Sequence, residues 1–233
     1  MMKRILMLIL LIVFSNTFAF QTAKIITQAM QSQMTPQDAL NRLIAGNNRF
    51  IDNQRTPVDY LKKARLTANG QYPAAIVLSC IDSRVPPEIL FDQNIGNIYV
   101  TRVAANVINK DVLGGMEYAT AVTHAKLIVV MGHDSCGAIK GACQNVALGN
   151  LTQLLFKIQP AISQAKKTMG KQDCNNKQFI NLAAEDNVKN IVELIPKESP
   201  VIAKLIQEHK VEVVGAMYDL DTGKVRFLQE TVE

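Results

Sequence analysis

The chain has 233 residues, of which 48% are hydrophobic and 19% are charged, and its formal net charge is +5. This length and composition suit one globular domain with a sizeable core, and they exclude an intrinsically disordered chain. The lysines are scattered along the chain rather than clustered, which predicts no nucleic-acid partner.

The N-terminus has the pattern of an export signal. Lys3 and Arg4 precede an apolar run over residues 5–14, and Ala19 then supplies a small residue at a signal-peptidase position. The run is much shorter than the ~20 residues that cross a bilayer as a helix. We therefore expect a signal peptide over residues 1–19 and an exported mature protein, periplasmic or secreted, with no membrane contact after cleavage. The alternatives are an uncleaved membrane anchor and a buried helix.

Further along, apolar runs alternate with helical patterns. Thr35 is the expected N-cap of a helix that has Pro36 in its first turn and Leu40 and Leu43 on its apolar stripe. Continuous apolar runs predict four buried strands, and a later run predicts an edge strand, at residues 74–79, 98–101, 126–131, 211–217 and 224–228. Helices are predicted at residues 112–124, 137–148, 151–167, 177–194 and 199–209.

This alternation of strands and helices predicts the α/β class. We expect a single domain over residues 35–233, with a mostly parallel central β-sheet flanked by helices. Residues 20–34 form a separate N-terminal segment, and residues 25–34 lack a clean apolar stripe of their own.

Two cysteines and one histidine follow strands of this predicted sheet. Cys80 comes directly after the first buried strand and His133 just after the third, and the carboxyl ends of such strands meet at one edge. Cys136 precedes a predicted helix, whose dipole favours a thiolate. Two thiolates and one imidazole suit Zn²⁺ and leave its fourth position open, which is typical of a catalytic site. The alternative is a structural disulfide between Cys80 and Cys136.

Asp82 and Arg84 place a carboxylate and a guanidinium beside that open position. The pattern indicates a zinc enzyme that generates hydroxide, and the alternative is an ordinary solvated ion pair. The other two cysteines, Cys143 and Cys174, are either buried thiols or a bridge formed in an oxidising compartment.

The residues around these positions resemble the β-class carbonic anhydrases. The resemblance runs from about residue 40 to the C-terminus, and its most specific motifs are residues 80–88 and 132–141, supported by residues 91–93, 100–106 and 113–118. It implies one zinc per chain on Cys80, His133 and Cys136, and reversible hydration of carbon dioxide to bicarbonate. Zinc-bound hydroxide would attack, oriented by an Asp82–Arg84 dyad.

The resemblance has further implications for binding and assembly. Gln93 resembles a residue that donates a hydrogen bond to substrate in parts of the family. The family also implies a homodimer or homotetramer, in which an N-terminal helical arm, here about residues 35–51, lies across the partner.

One position departs from the family pattern. Some bacterial members build a non-catalytic bicarbonate pocket from a tryptophan, an arginine and a tyrosine. Val77 stands at the tryptophan position and the chain has no tryptophan, although Arg102 and Tyr218 match the other two places. We therefore expect no such pocket and no associated switch, with Arg102 as a structural or interface residue.

Three other functions compete with this interpretation. The same zinc site could act on carbonyl sulfide or carbon disulfide. A metal-free thiotransferase would use Cys80 as nucleophile with Arg84 in an anion-binding loop, but it leaves His133 and Cys136 unexplained. A non-catalytic zinc protein would use Asp82 as a permanent fourth ligand.

Overall fold

A computed structural model describes residues 24–228 of the chain. The predicted signal peptide over residues 1–19 lies outside the described residues, and so do residues 20–23 of the N-terminal segment and the last five residues. Among the described helices, none combines the length and the hydropathy that a bilayer crossing requires.

The described residues form one five-stranded sheet in the order β2-β1-β3-β4-β5. The first four strands are parallel, whereas β5 pairs antiparallel with β4 at the edge. Every residue of β1 and β3 is buried, as their continuous apolar runs predict. The strands are β1 Ala75–Ser79, β2 Ile98–Arg102, β3 Leu127–His133, β4 Glu212–Tyr218 and β5 Val225–Phe227. The predicted α/β class, with a mostly parallel sheet and an edge strand, is confirmed.

Ten α-helices flank this sheet in the described residues. They are α1 Gln28–Gln33, α2 Pro36–Ile51, α3 Tyr60–Thr67, α4 Pro87–Leu90, α5 Lys110–Glu117, α6 Gly137–Cys143, α7 Gly149–Phe156, α8 Gln159–Met169, α9 Lys177–Glu198 and α10 Pro200–Gln207. A 3₁₀ turn at Ala104–Asn106 follows β2, and a π-helical turn at Tyr118–Val122 continues α5.

The predicted start of α2 is confirmed in detail. The Thr35 hydroxyl accepts a hydrogen bond from the Asp38 amide, and the Asp38 carboxylate accepts one from the Thr35 amide, which makes a capping box. Along this helix, Gly46 faces the carbonyl of Phe91 so closely that an added Cβ would lie 1.8 Å from that oxygen. The absence of a side chain at Gly46 therefore lets α2 pack directly on the chain that follows α4.

Two predicted helices are wrong in their bounds. The helix predicted at residues 137–148 ends at Cys143, because Asn145 adopts a left-handed conformation with φ of 54° that stops it. The single helix predicted at residues 151–167 is instead the pair α7 and α8. Pro160 lies in the first turn of α8 and has no N–H with which to continue a helix from α7.

Three short helices, α1, α3 and α4, were not predicted from the sequence. In α1 the buried residue is polar: Gln31 donates from Nε2 to the carbonyls of Pro73 and Thr123. Hydrogen bonds rather than an apolar stripe hold α1 on its own chain, which explains why no periodic pattern indicated it. The prediction that the N-terminal helices lie across a partner concerns a second chain and stays a prediction.

The two faces of the sheet carry separate apolar layers. One face packs against α5, α9 and α10, and the other packs against α2 and α4. Val188 of α9 packs directly over two glycines of the sheet. A Cβ added to Gly132 of β3 would lie 2.7 Å from one methyl carbon of Val188, and a Cβ added to Gly215 of β4 would lie 2.9 Å from the other. Helix α9 is therefore seated closely on the sheet beside the carboxyl end of β3.

Cys143 and Cys174 form a disulfide, which decides between the two alternatives for this pair. Their Cα atoms are 5.8 Å apart and they are separated by 31 positions in the sequence. The bridge joins the last residue of α6 to the segment between α8 and α9.

Candidate metal centre

The three predicted ligands converge at the carboxyl ends of two neighbouring strands. Cys80 follows the last residue of β1, and His133 is the last residue of β3 rather than the first residue after it. Cys136 is the N-cap of α6. All three are at most 3% exposed, and their ligand atoms lie within 4.8 Å of one another.

Cys80 and Cys136 are both free thiols, so they form no disulfide with each other. Their sulfur atoms are 4.0 Å apart. Two sulfur ligands at about 2.3 Å from a tetrahedral zinc are about 3.8 Å apart, whereas bonded sulfurs are about 2.05 Å apart. The spacing therefore fits a metal between the two sulfurs.

His133 turns one ring nitrogen toward these sulfurs. Its Nδ1 lies 2.9 Å from the carbonyl oxygen of Asp134. A carbonyl only accepts hydrogen bonds, so Nδ1 carries the hydrogen and Nε2 has the free lone pair. That Nε2 is buried and has no hydrogen-bond partner in the described chain. A buried polar atom without a partner is unusual, and a cation bound by the three ligand atoms would satisfy it.

Each thiol changes the pKa of the other. The hydrogen bond between the two sulfurs lowers the pKa of Cys80, although burial opposes this, and the amides of Asp82 and Ala105 lower it further. The pKa of Cys136 is raised, because Cys80 lies beside it and burial disfavours its charge. The amides of Ile139 and Ala138 oppose that rise at the start of α6. A divalent cation at this position would bind both cysteines as thiolates, because a cysteine has to lose its proton to become a metal ligand.

Asp82 is held beside the ligands by Arg84. Arg84 donates from Nε to Oδ1 at 2.9 Å, from Nη2 to Oδ2 at 2.8 Å and from its amide to Oδ1 at 3.0 Å. Asp82 Oδ2 lies 3.9 Å from His133 Nε2, and the Asp82 side chain is only 17% exposed. This differs from a fully solvated ion pair, because the carboxylate is turned toward the centre.

The guanidinium of Arg84 holds the pKa of Asp82 well below its usual range. Asp82 does not belong to the group of ligand atoms that lie within 4.8 Å of one another. The carboxylate is thus ionised and engaged by Arg84, beside the three ligand atoms rather than among them.

Arg102 clamps the loop that carries Cys80 and Asp82. Its Nε donates to the Cys80 carbonyl at 2.9 Å, and its Nη2 donates to the Asp82 carbonyl. Val77 is buried inside β1, and Tyr218 is the last residue of β4. Within residues 24–228, no hydrogen bond joins Arg102 to Tyr218, and the structural role expected for Arg102 is the one it has.

Gln93 is not brought to the three ligands by any hydrogen bond in the described part of the chain. It is 6% exposed, donates from Nε2 to the Phe91 carbonyl at 2.8 Å and accepts at Oε1 from Arg42 at 3.0 Å. Its predicted role in substrate binding stays a prediction.

Two asparagines of α9 contact segments beside the ligands and were not singled out from the sequence. Asn181 accepts a hydrogen bond from the amide of Ser135, and Asn187 donates one to the carbonyl of Ala105. Polar residues on the sheet-facing side of a long helix are the only sequence signal for them, and that signal does not identify what they contact.

Comparison with known proteins identifies carbonic anhydrases as relatives of this chain. The carbonic anhydrase family model matches residues 75–225. Carbonic anhydrase 2 of Mycobacterium tuberculosis is 33% identical over 195 residues, which cover 81% of this chain and 91% of that protein. The carbonic anhydrase of Mycolicibacterium smegmatis is 34% identical over 197 residues, which cover 82% of this chain and 92% of that protein.

Solved structures with the same fold include fungal β-carbonic anhydrases. The enzyme CafA of Aspergillus fumigatus matches with a TM-score of 0.66 and 27% identity, over 73% of this chain and 82% of that chain. One of two tetrameric β-carbonic anhydrases of Sordaria macrospora matches with a TM-score of 0.66 and 25% identity, over 84% of this chain and 96% of that chain.

Proposed function

The chain belongs to the β-class carbonic anhydrase family and has carbonic anhydrase activity by that membership, and we propose that it hydrates carbon dioxide reversibly at a zinc ion held by Cys80, His133 and Cys136. One ion binds per chain. The observation that carries this proposal is the buried Nε2 of His133, which has no hydrogen-bond partner among residues 24–228 and faces two free thiols 4.0 Å apart.

The chemistry of the reaction divides between the metal and the chain. Zinc lowers the pKa of a water molecule to about 7 and so supplies a hydroxide nucleophile near neutral pH. Cys80 and Cys136 bind as thiolates, and His133 binds through its neutral Nε2. Their burial keeps bulk water away from the ligand atoms.

Asp82 and Arg84 orient the nucleophile. Arg84 engages both carboxylate oxygens, which keeps Asp82 ionised and holds it beside the three ligand atoms rather than among them. Asp82 Oδ2 faces the centre and retains a lone pair, with which it accepts the hydrogen bond of the attacking O–H group. That hydrogen bond aims the nucleophile's free lone pair at the carbon of carbon dioxide.

Gln93 is the proposed donor to substrate. One of its two amide hydrogens is engaged by the Phe91 carbonyl, and the other remains for a substrate oxygen. Replacing Gln93 with Leu should impair carbon dioxide hydration without changing the zinc content.

The proposal is tested by measuring carbon dioxide hydration by stopped flow and metal content on the same sample. We expect one zinc per chain, and we expect Cys80→Ser, His133→Ala and Cys136→Ser each to abolish activity and greatly weaken zinc binding. Full zinc and near-normal turnover in any of these variants would contradict the ligand assignment.

Other results of this experiment would support the competing functions. Stoichiometric zinc without hydration would indicate a non-catalytic zinc protein, and activity of the metal-free chain on a sulfur donor would indicate a thiotransferase. Faster turnover of carbonyl sulfide or carbon disulfide than of carbon dioxide would reassign the substrate while keeping the zinc site.

We further propose that the enzyme is at least a dimer. Strand β2 lies at the edge of the sheet, and the ring of its Tyr99 contacts the ring of Tyr118, with centroids 6.3 Å apart. Tyr118 is 52% exposed and Val122, on the same π-helical turn, is 61% exposed. An unpaired strand edge beside exposed apolar side chains favours association with a second copy.

Export from the cytoplasm is also a proposal, supported by the Cys143–Cys174 bridge. Structural disulfides persist in oxidising compartments and are rare in the cytosol. Fractionation of cells with N-terminal sequencing of the mature protein would test it, and we expect a chain that begins after Ala19. Recovery of the full-length chain in the cytoplasm would contradict export.

A further inference from the structure

Two segments beside the three ligands, the one from His133 to Cys136 and the turn after β2, each contain a residue other than glycine in the left-handed conformation. Ser135, between His133 and Cys136, has φ of 53°, and Ala105, in the turn after β2, has φ of 52°. This conformation is unfavourable for residues with a Cβ, so the surrounding structure has to maintain it.

Helix α9 supplies a hydrogen bond to both of these residues. Asn181 Oδ1 accepts from the Ser135 amide at 2.8 Å, and Asn187 Nδ2 donates to the Ala105 carbonyl at 2.8 Å. Asn187 is only 2% exposed, and its neighbour Val188 fills the space above Gly132 and Gly215 on the sheet. Asn187 therefore lies on the part of α9 that packs directly against the sheet.

Ala105 connects Asn187 to the metal centre. The Ala105 amide donates to Cys80 Sγ at 3.3 Å, and both groups are buried. The amide can point at the sulfur only while the backbone stays left-handed at Ala105. If Ala105 relaxed to an ordinary conformation, its flanking peptide groups would rotate, and both the Asn187 contact and the contact to sulfur would change.

We propose that Asn187 is a positioning residue of the metal centre, which acts through Ala105 to aim an amide at the Cys80 sulfur. This inference rests on the proposed zinc site. The Ala105 amide orients Cys80 and withdraws charge from its sulfur, in the way that outer hydrogen bonds tune metal ligands. Without the Asn187 donor, Cys80 is a less well-oriented ligand in a chain whose fold is otherwise unchanged.

The test uses Asn187→Leu, which has the same branching and number of side-chain heavy atoms but no donor, and Asn190→Leu as a matched control. Asn190 lies on the same helix and pairs with Gln164, away from the ligand loops. Zinc affinity is measured by competition with a chelator. The cobalt-substituted protein is examined for its thiolate-to-cobalt charge-transfer absorption, which reports the metal–sulfur bonds directly.

We expect Asn187→Leu to weaken zinc binding by about 10–100-fold and to shift the charge-transfer absorption, whereas Asn190→Leu should leave both unchanged. The second-site change Ala105→Gly should restore part of the affinity in the Asn187→Leu background, because glycine adopts the left-handed conformation without strain. Should Asn187→Leu fail to fold, Asn187→Asp keeps the shape, removes the amide donor and takes its place in the same measurements.

A folded Asn187 variant with wild-type zinc affinity and an unchanged cobalt spectrum would overturn the inference. Loss of affinity that Ala105→Gly does not restore at all would overturn the route through Ala105. The proposed function fails separately: if the wild-type chain itself binds no zinc, the metal centre is wrong, whereas a wild-type chain with one zinc and an insensitive Asn187 variant contradicts only this inference.

Discussion

His133 engages the centre through one ring nitrogen because its neighbour occupies the other. The Asp134 carbonyl takes the Nδ1 hydrogen, and the Asp134 carboxylate in turn accepts the amide of Leu220 at 2.7 Å. The tautomer of the ligand is therefore set by backbone atoms near the ends of β3 and β4. Asp82 is controlled similarly, since Arg84 engages both of its carboxylate oxygens.

Removing the Arg84 side chain should release Asp82. Since Asp82 Oδ2 already lies 3.9 Å from His133 Nε2, the freed carboxylate is expected to reach the fourth ligand position and displace water. In Arg84→Ala we expect zinc to stay bound while stopped-flow carbon dioxide hydration falls by about 10²-fold or more. Asp82→Asn should lose activity as well, through loss of the orienting acceptor, because an amide is a poorer ligand and leaves water in place.

Arg84→Lys is the matched control, since it keeps the positive charge but not the two-point contact. We expect it to retain more activity than Arg84→Ala. The proposed dyad would be contradicted by an Arg84→Ala enzyme with full zinc and a wild-type rate.

The same pair determines how Asp82 responds to pH. Arg84 lowers the pKa of Asp82, so the carboxylate stays charged as the pH falls through about 4, the ordinary carboxyl range. The contribution of this ion pair is present above that range and is lost only as the pH falls through the lowered pKa. In Arg84→Ala the pKa should rise toward its ordinary value, so Asp82 should take up a proton at higher pH. Carbon-13 NMR of the Asp82 carboxyl in both proteins checks this shift.

Val77 and Arg102 predict a simple pH dependence of activity. Val77 has no donor with which to build a bicarbonate pocket, and Arg102 is engaged by the carbonyls of Cys80 and Asp82. We expect the hydration rate to decline with falling pH as a single-proton titration, without allosteric inhibition by bicarbonate. A steep multi-proton loss of activity near neutral pH, with Asp82 on the zinc in a crystal structure, would show that this expectation is wrong.

At the scale of single elements, α6 is constrained at both ends. Cys136 at its N-cap is a proposed metal ligand, and Cys143 at its last position is bonded to Cys174. The helix spans only seven residues, so a constraint at its C-terminal end is close to the ligand. The disulfide therefore stabilises the element that presents Cys136.

Removing this bridge should lower stability without removing a ligand. For the double change Cys143→Ser and Cys174→Ser we expect a loss of about 2–4 kcal/mol in the free energy of unfolding. Urea denaturation of the zinc-loaded protein, with and without a thiol reductant, measures it. The reductant should lower the wild-type midpoint to that of the variant and leave the variant unchanged. An identical midpoint for wild type and variant under oxidising conditions would contradict a stabilising role.

Helix α9 is the element that connects the fold to the site. Val188 packs it on Gly132 and Gly215, and from the same helix Asn181 contacts the loop between His133 and Cys136 while Asn187 contacts the loop after β2. A displacement of α9 along the sheet would disturb both loops together. A Cβ added at Gly132 would lie 2.7 Å from a methyl carbon of Val188, so we expect such a substitution to displace α9 and disturb the centre through this packing.

For the whole molecule, the strand order decides where the site and the association surface lie. Because β1 and β3 are neighbours in the middle of the sheet, their carboxyl ends bring Cys80 and His133 together. Because β2 is at one edge, its outer side is left without a strand partner in the described chain. The metal centre therefore lies at the ends of β1 and β3, and the proposed interface lies on the neighbouring strand, β2.

We predict that the mature chain is at least dimeric and that the surface formed by Tyr99, Tyr118 and Val122 carries the contact. Val122→Asp places a charge on this apolar surface and should shift the protein toward monomer in light scattering, while circular dichroism shows that it remains folded. Phe156→Asp is the control, since Phe156 is 75% exposed on α7 and lies outside this surface. A stable, active wild-type monomer would contradict dimerisation, and an unaffected Val122→Asp dimer would contradict this location.

Local patterns were sufficient for much of the fold and for proposing the ligand set. The apolar runs of β1 and β3 predicted buried strands because a strand covered on both faces needs no polar alternation. Thr35 and Pro36 predicted the start of α2 because capping depends on residues within one turn. Cys80, His133 and Cys136 were identified from strand ends and residue types, which the linear sequence contains.

The tertiary structure decided whatever depends on contacts between distant positions. Three such contacts have no local signature in the sequence. They are the disulfide between Cys143 and Cys174 across 31 positions, the hydrogen bonds of Gln31 to the carbonyls of Pro73 and Thr123, and the hydrogen bond of Asn187 to Ala105. The break between α7 and α8 is different, because Pro160 is a local signal for it and the apolar spacing of residues 151–167, which fits one helix or two, concealed that signal. The sequence by itself determined which residues can bind the metal. Only the fold decided which residues hydrogen-bond to these ligands and their loops, because such bonds form after strands and helices far apart in the chain have packed together.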